Sequence, residues 1–155
     1  MIEEQSSRIY MAMASWCEAN GYPGAAKFLY VHSDEERMHM TKLIGYINDK
    51  EGHARMLELE EPANEFDSLQ QIFEEILKHE KFVTESINGL YGLAMEEKDY
   101  STSQFLQWYI EEQIEEESLF SGILDKFRLA GDHRGGLFHI DKELENMSAA
   151  EAPAE

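Results

Sequence analysis

Cysteine is nearly absent: Cys17 is the only one in 155 residues. Disulfide frameworks, zinc clusters of thiolates and rubredoxin-type iron sites are therefore all unavailable within one subunit, and a reducing, cytoplasmic setting fits. Positive charge is also scarce. Lysine and arginine number 13 against 32 aspartates and glutamates, giving a formal net charge of -19 with histidine neutral. That balance argues against nucleic-acid and anionic-membrane partners and makes cations the natural counterpart. No apolar run approaches the roughly 20 residues of a membrane span, and no basic segment followed by an apolar one opens the chain, so export is not expected. What remains is the length of one ordinary domain, enough to bury a core without disulfides or a structural metal.

The hydrophobic pattern is helical throughout, which predicts an all-α fold. Tyr10, Met13, Ala14 and Cys17 recur at helical spacing until Asn20-Gly21-Tyr22-Pro23-Gly24 breaks the first helix. A second helix runs from about Ala25 to Asn48, with Leu29, His32, Glu36, His39, Leu43 and Ile47 on one face. Glu51 to Asp67 has no sustained period, contains Gly52 and Pro62, and is too long for a tight reversal, so it reads as a crossover. Asp67 or Ser68, with Gln70 or Gln71 three residues on, can cap a third helix whose stripe is Leu69, Ile72, Ile76, Glu80, Val83, Ile87, Leu90 and Ala94.

After a turn at Lys98 to Tyr100, Ser101 and Gln104 form another candidate capping box. The fourth helix then carries Phe105, Tyr109, Glu112, Glu116, Leu119, Ile123 and Phe127, and Gly131 ends it. Gly135 and Gly136 precede a short amphipathic stretch, Leu137 to Met147, that suits a small fifth helix. The domain is thus expected over 1–147, with 148–155 a disordered acidic tail. Two long helices, a long crossover and two more long helices match a ferritin-like bundle better than an up-down-up-down one.

Each apolar stripe is interrupted near its middle by residues that prefer water. Helix two has Glu36 and His39, helix three Glu80, and helix four Glu112, Gln113 and Glu116, while helix one offers Glu3 two turns before Tyr10 on the same face. If the stripes face inward, these interruptions converge on the bundle axis. Ionised carboxylates are almost never fully buried without partners. Glu3, Glu36, Glu80 and Glu116 would gather four negative charges with little basic compensation, a difficulty that a pair of metal ions resolves. Oxygen-rich ligation with one imidazole suits iron or manganese, and Glu36-x-x-His39 is the helical unit of carboxylate-bridged di-metal bundles.

From Glu3 to Met147 the chain resembles the bacterial non-haem ferritins. The likeness is carried by Ala14-Ser15-Trp16-Cys17, Asp34-Glu35-Glu36-Arg37-Met38-His39-Met40, His79-Glu80, Glu85-Ser86-Ile87-Asn88, and Phe105-Leu106-Gln107-Trp108-Tyr109 with Glu112-Gln113. The resemblance implies an iron-storage protein with ferroxidase activity, in which oxygen or peroxide oxidises ferrous iron at a di-iron centre and ferric mineral collects inside a homo-oligomeric cage of about 24 subunits. It assigns Glu3, Glu36 and His39 to one iron with Glu36 bridging, Glu80 and Glu116 to the other, and Gln113 to a place beside that second iron. Tyr10 would sit next to the centre, and Glu35, Glu112 and Glu115 would take a third, more loosely held iron. One departure is that a family first helix begins well before its ligand glutamate, whereas Glu3 follows the first residue almost at once. A frayed, weakly held first ligand, or a shortened start, is the expectation.

Two relatives of different function are opposed by particular residues. A di-iron oxygenase or peroxidase acting on a separate substrate would place a second histidine three residues after Glu116, where Leu119 stands. A DNA-protecting mini-ferritin would carry a basic tail and ligands shared between subunits. His32 reads as a core histidine, His53, His133 and His139 as solvated, and Met11, Met13, Met38 and Met40 as packing or partner contacts, so no haem is expected. Glu96, Glu97 and Asp99 read as a solvated acidic turn.

Overall fold

In a computed structural model the described residues form five helices: α1 Ile2–Ala19, α2 Pro23–Asp49, α3 Leu69–Glu96, α4 Tyr100–Ala130 and α5 Arg134–Glu151. The structure describes residues 2–131 and 134–151, so His133 and the last four positions of the expected tail lie outside the described residues. No described helix is long and apolar enough to cross a membrane. Met1–Asp67 with Asp132–Glu155 make one compact unit, and Ser68–Gly131 another.

The first unit is a hairpin of α1 and α2 with α5 packed on α2. Tyr10, Met13, Ala14 and Cys17 are buried along α1, as their spacing predicts. Asn20 closes the end of α1 by donating from its side-chain amide to the Trp16 carbonyl at 2.8 Å, and Gly21 turns the chain at φ +84°. Pro23 stands at the start of α2, where its missing N–H costs nothing. Tyr22 supplies no side-chain cap. The cap comes from α5: Asp141 Oδ1 accepts from the Ala25 N–H at 2.9 Å, across 116 positions. Gly24 makes this approach possible, since a Cβ there would lie 1.9 Å from the Asp141 carbonyl oxygen.

On α2, Leu29, His32, Glu36 and His39 are buried, whereas Leu43 and Ile47 are half-buried. The expected crossover is irregular and runs beside α1, with Gln5 Nε2 donating to the Glu60 carbonyl at 3.1 Å and Trp16 meeting Phe66 edge-on at 5.9 Å. Helix α5 is longer than its pattern suggests. It takes in Gly135 and Gly136 and continues past Met147 to Glu151. Ile140, Leu144 and Ser148 form a buried stripe at a spacing of four, and the Ala/Glu composition that reads as disorder is also strongly helix-forming.

The second unit is the α3–α4 hairpin. Of the candidate caps, Ser68 is the one used, accepting from the Gln71 N–H at 3.1 Å. The Gln71 side chain also reaches forward, donating to Glu75 Oε1 at 2.9 Å. Leu90 departs from the expected stripe and is 52% exposed, while Phe73 enters it and packs on Phe127 at 5.6 Å. At α4, Asp99 displaces Ser101 as the cap: its carboxylate accepts from the Thr102 N–H and both neighbouring hydroxyls. The buried face of α4 is also rotated from the expected one. It holds Leu106, Tyr109, Gln113, Glu116, Phe120, Ile123 and Phe127, leaving Phe105, Glu112 and Leu119 half-buried. Gly131, at φ +56°, ends the helix as expected.

Candidate metal centre

Antiparallel pairing of α1 and α2 brings Glu3 opposite the Glu36-x-x-His39 turn. One ligand atom from each of Glu3, Glu36 and His39 lies within 4.8 Å of the others, and all three residues are buried. Glu36 Oε2 and His39 Nδ1 are 3.8 Å apart, the reach of an i,i+3 pair. Two donors each about 2.1 Å from one ion stand at most about 4.2 Å apart, so only small side-chain rotations would close this trio on a metal. Two carboxylates at 4% exposure beside a neutral-capable imidazole form an oxygen-rich donor set that fits iron. Glu3 is buried in the first turn of α1 and belongs to the trio despite its place near the start.

The trio is supported from one turn away. Ser7 Oγ donates to the Ser33 carbonyl and Ser33 Oγ to the Ser7 carbonyl, both at 2.8 Å. On the same unit His32 is buried, with Nδ1 3.1 Å from the Phe28 carbonyl and its ring 4.2 Å from that of Phe28. Burial is the main cause that pushes its pKa down to about 4, with His39 adding to the fall and the Phe28 carbonyl opposing it. Tyr10 is fully buried and meets His32 edge-on at 6.4 Å. Glu35 is half-buried, its carboxylate 3.9 Å from His32 Nδ1.

In the second unit Glu80 is 1% exposed, and Gln113 holds it. Gln113 Nε2 donates to Glu80 Oε2 at 2.9 Å and approaches the Glu80 carbonyl at 3.1 Å and Thr84 Oγ1 at 3.3 Å. Thr84 Oγ1 in turn donates a hydrogen bond to Glu117 Oε1 at 2.6 Å. Glu116 is buried in the same helix, Glu112 is half-buried and Glu115 is exposed. The expected residues thus gather as Glu3, Glu36 and His39 in one unit and as Glu80 with Gln113 in the other. Thr84, Glu117, Ser7 and Ser33 escape a reading of the sequence. Their signal is register: Thr84 and Glu117 lie one turn beyond Glu80 and Gln113, and the two serines one turn from Glu3 and Glu36.

A family model described as a ferritin-like domain matches residues 2–130. The chain belongs to the ferritin family. A probable bacterial non-heme ferritin-like protein of Haemophilus influenzae is 50% identical to this ferritin over 95% of the chain and 89% of its own length. The bacterial non-heme ferritin of Campylobacter jejuni is 44% identical over 94% of the chain and 87% of its length. Among solved structures, an open pore ferritin from the archaeon Archaeoglobus fulgidus superposes with a TM-score of 0.91 at 38% identity, covering 92% of this chain and 88% of that one. The fold class is therefore the all-α, ferritin-like four-helix bundle with a short fifth helix at the C-terminal end.

Proposed function

We propose that this ferritin stores iron, binding ferrous ions as substrate, oxidising them at a di-iron centre and holding the ferric product as mineral inside a homo-oligomeric cage of about 24 subunits in the cytoplasm. The observation that carries the proposal is the buried Glu3–Glu36–His39 trio. Buried acidic side chains with one imidazole have a large desolvation cost that a hard cation offsets. Glu3, Glu36 and His39 hold the first ferrous ion, and Glu36 bridges to a second held by Glu80 and Glu116, with Gln113 beside it. Each ion gives one electron to oxygen or peroxide. Tyr10, a buried phenol, serves beside the first ligand set, and the more exposed Glu35, Glu112 and Glu115 take a third ion on its way onward.

The second ion has carboxylates without an imidazole, because Leu119 stands where a Glu-x-x-His partner to Glu116 would be. Such a set releases oxidised iron more readily than a resident cofactor site, which favours storage over chemistry on an organic substrate. Sedimentation of purified protein with and without ferrous iron tests the reading. The expected result is a large particle that grows denser with iron. A monomer or simple dimer at neutral pH and moderate salt, or a particle whose density ignores iron, would overturn it.

A further inference from the structure

We propose that Ser7 and Ser33 are positioning residues for iron: their hydroxyls clasp α1 to α2 one turn from the ligands and set the distance of Glu3 from Glu36 and His39. The inference rests on the metal-binding reading of the trio.

The two hydroxyls own two protons, and three short contacts compete for them. The two carbonyl contacts, at 2.8 Å each, take both, while the oxygens stand 3.1 Å apart. Both residues are buried, at 3% and 0% exposure, so no water substitutes for either bond. Each bond joins one backbone to the other through a single side-chain torsion, a far stiffer link than a pair of leucines. Hydroxyl-sized groups also let the helices approach more closely than bulky apolar contacts allow.

The clasp sits where the ligands need it. Glu3 precedes Ser7 by one turn on α1, and Glu36 follows Ser33 by one turn on α2. Glu3 lies one turn from Ser7 on α1, so a fixed point at Ser7 holds the backbone that carries its carboxylate. Glutamate has three side-chain torsions, so whether its carboxylate meets Glu36 and His39 depends on how far apart the two backbones are held. Without the clasp, Glu3 has more space to search and contributes less to binding.

The test is calorimetric titration of the assembled, iron-free protein with cobalt(II), which binds without being oxidised by air under these conditions. Ser7→Ala with Ser33→Ala is compared in two backgrounds, native and Glu3→Gln. The expected result is that the double serine variant weakens the tightest cobalt site about tenfold when Glu3 is present and less than about twofold when it is not. Thermal stability should fall in both backgrounds alike, so only the coupling to Glu3 reports positioning. Unchanged cobalt affinity, or equal weakening in both backgrounds, would overturn the proposal. If the double variant does not assemble, each single variant removes one of the reciprocal bonds and should weaken the site about threefold, again only with Glu3 present. Cobalt affinity that survives Glu36→Ala and His39→Ala would show instead that the trio is not a metal site, and the proposal would fall with the reading beneath it.

Discussion

The two units bury acid in different ways. In the first, Glu3 and Glu36 turn their oxygens toward one another and toward the His39 ring, so the three donors share one small space. In the second, Glu80 gives an oxygen to the Gln113 amide, which is in turn linked through Thr84 to Glu117. A cation arriving at the first set meets three donors already gathered, and at the second it meets a Glu80 carboxylate held by the Gln113 amide. The first set also has the only imidazole among the proposed ligands. On the proposed ligand sets, the expected order of filling is the first unit before the second.

The change expected to break this comparison most completely is Glu36→Ala. It removes a carboxylate from the first set and the proposed bridge, and should slow initial ferrous oxidation by more than about 100-fold while sedimentation shows assembly intact. Oxidation at the original rate would mean that Glu36 is not the bridge. Gly24→Ala probes the scaffold of the first unit. Its Cβ would meet the Asp141 carbonyl at 1.9 Å, forcing α5 away and breaking the remote cap on α2. A loss of about 3 kcal/mol is expected in denaturant unfolding, with amide exchange rising in α2 and α5 and unchanged in α3 and α4. An equal rise in both hairpins would refute the local account.

His32 sharpens the comparison through pH. Its pKa falls from 6.5 to about 4 on folding, so between those values the unfolded chain carries a proton that the folded one does not. Metal-free protein should therefore lose stability as pH drops through that window, by a total of about 3 kcal/mol from this group near its lower edge. His32→Gln should flatten the dependence, and parallel unfolding curves for the two proteins between neutral pH and pH about 4 would show that another group is responsible. The smallest effect is expected from Leu119→His, which offers the second unit an imidazole three residues after Glu116. Leu119 is only half-buried, since the inward register passes through Phe120, so a gain of about threefold in the second binding event is the expectation from ferrous titration under argon. No gain would separate the order of filling from imidazole content.

The long helices were legible because their stripes persist over many turns, and the crossover because nothing periodic bridges Glu51 and Asp67. The rotation of α4 was not. Between Glu111 and Glu117 the sole apolar residue is Ile114, which proves 67% exposed, so local hydropathy gives no phase there and the inward face is set by packing on either side. Competing caps were undecidable for a similar reason: Asp99 and Ser101 are both good caps, and the carboxylate prevails by accepting from Thr102 and Ser101 together. The candidate ligands were readable as polar breaks in apolar stripes. The serine clasp, the Thr84–Glu117 link and the Asp141 cap were not, because each joins helices through small polar side chains that look ordinary on either helix alone.

Cys17 is a core residue whose burial matters to a protein that handles electrons. Its thiol is pushed up to about 12, mainly by burial and further by the negative charge of Asp141, so at neutral pH almost none of it is thiolate. Sulfenic acid formation, adduction and mixed-disulfide exchange all begin from the thiolate. The one thiol of the chain is thereby withheld from these reactions, so it does not compete with iron as a source of electrons.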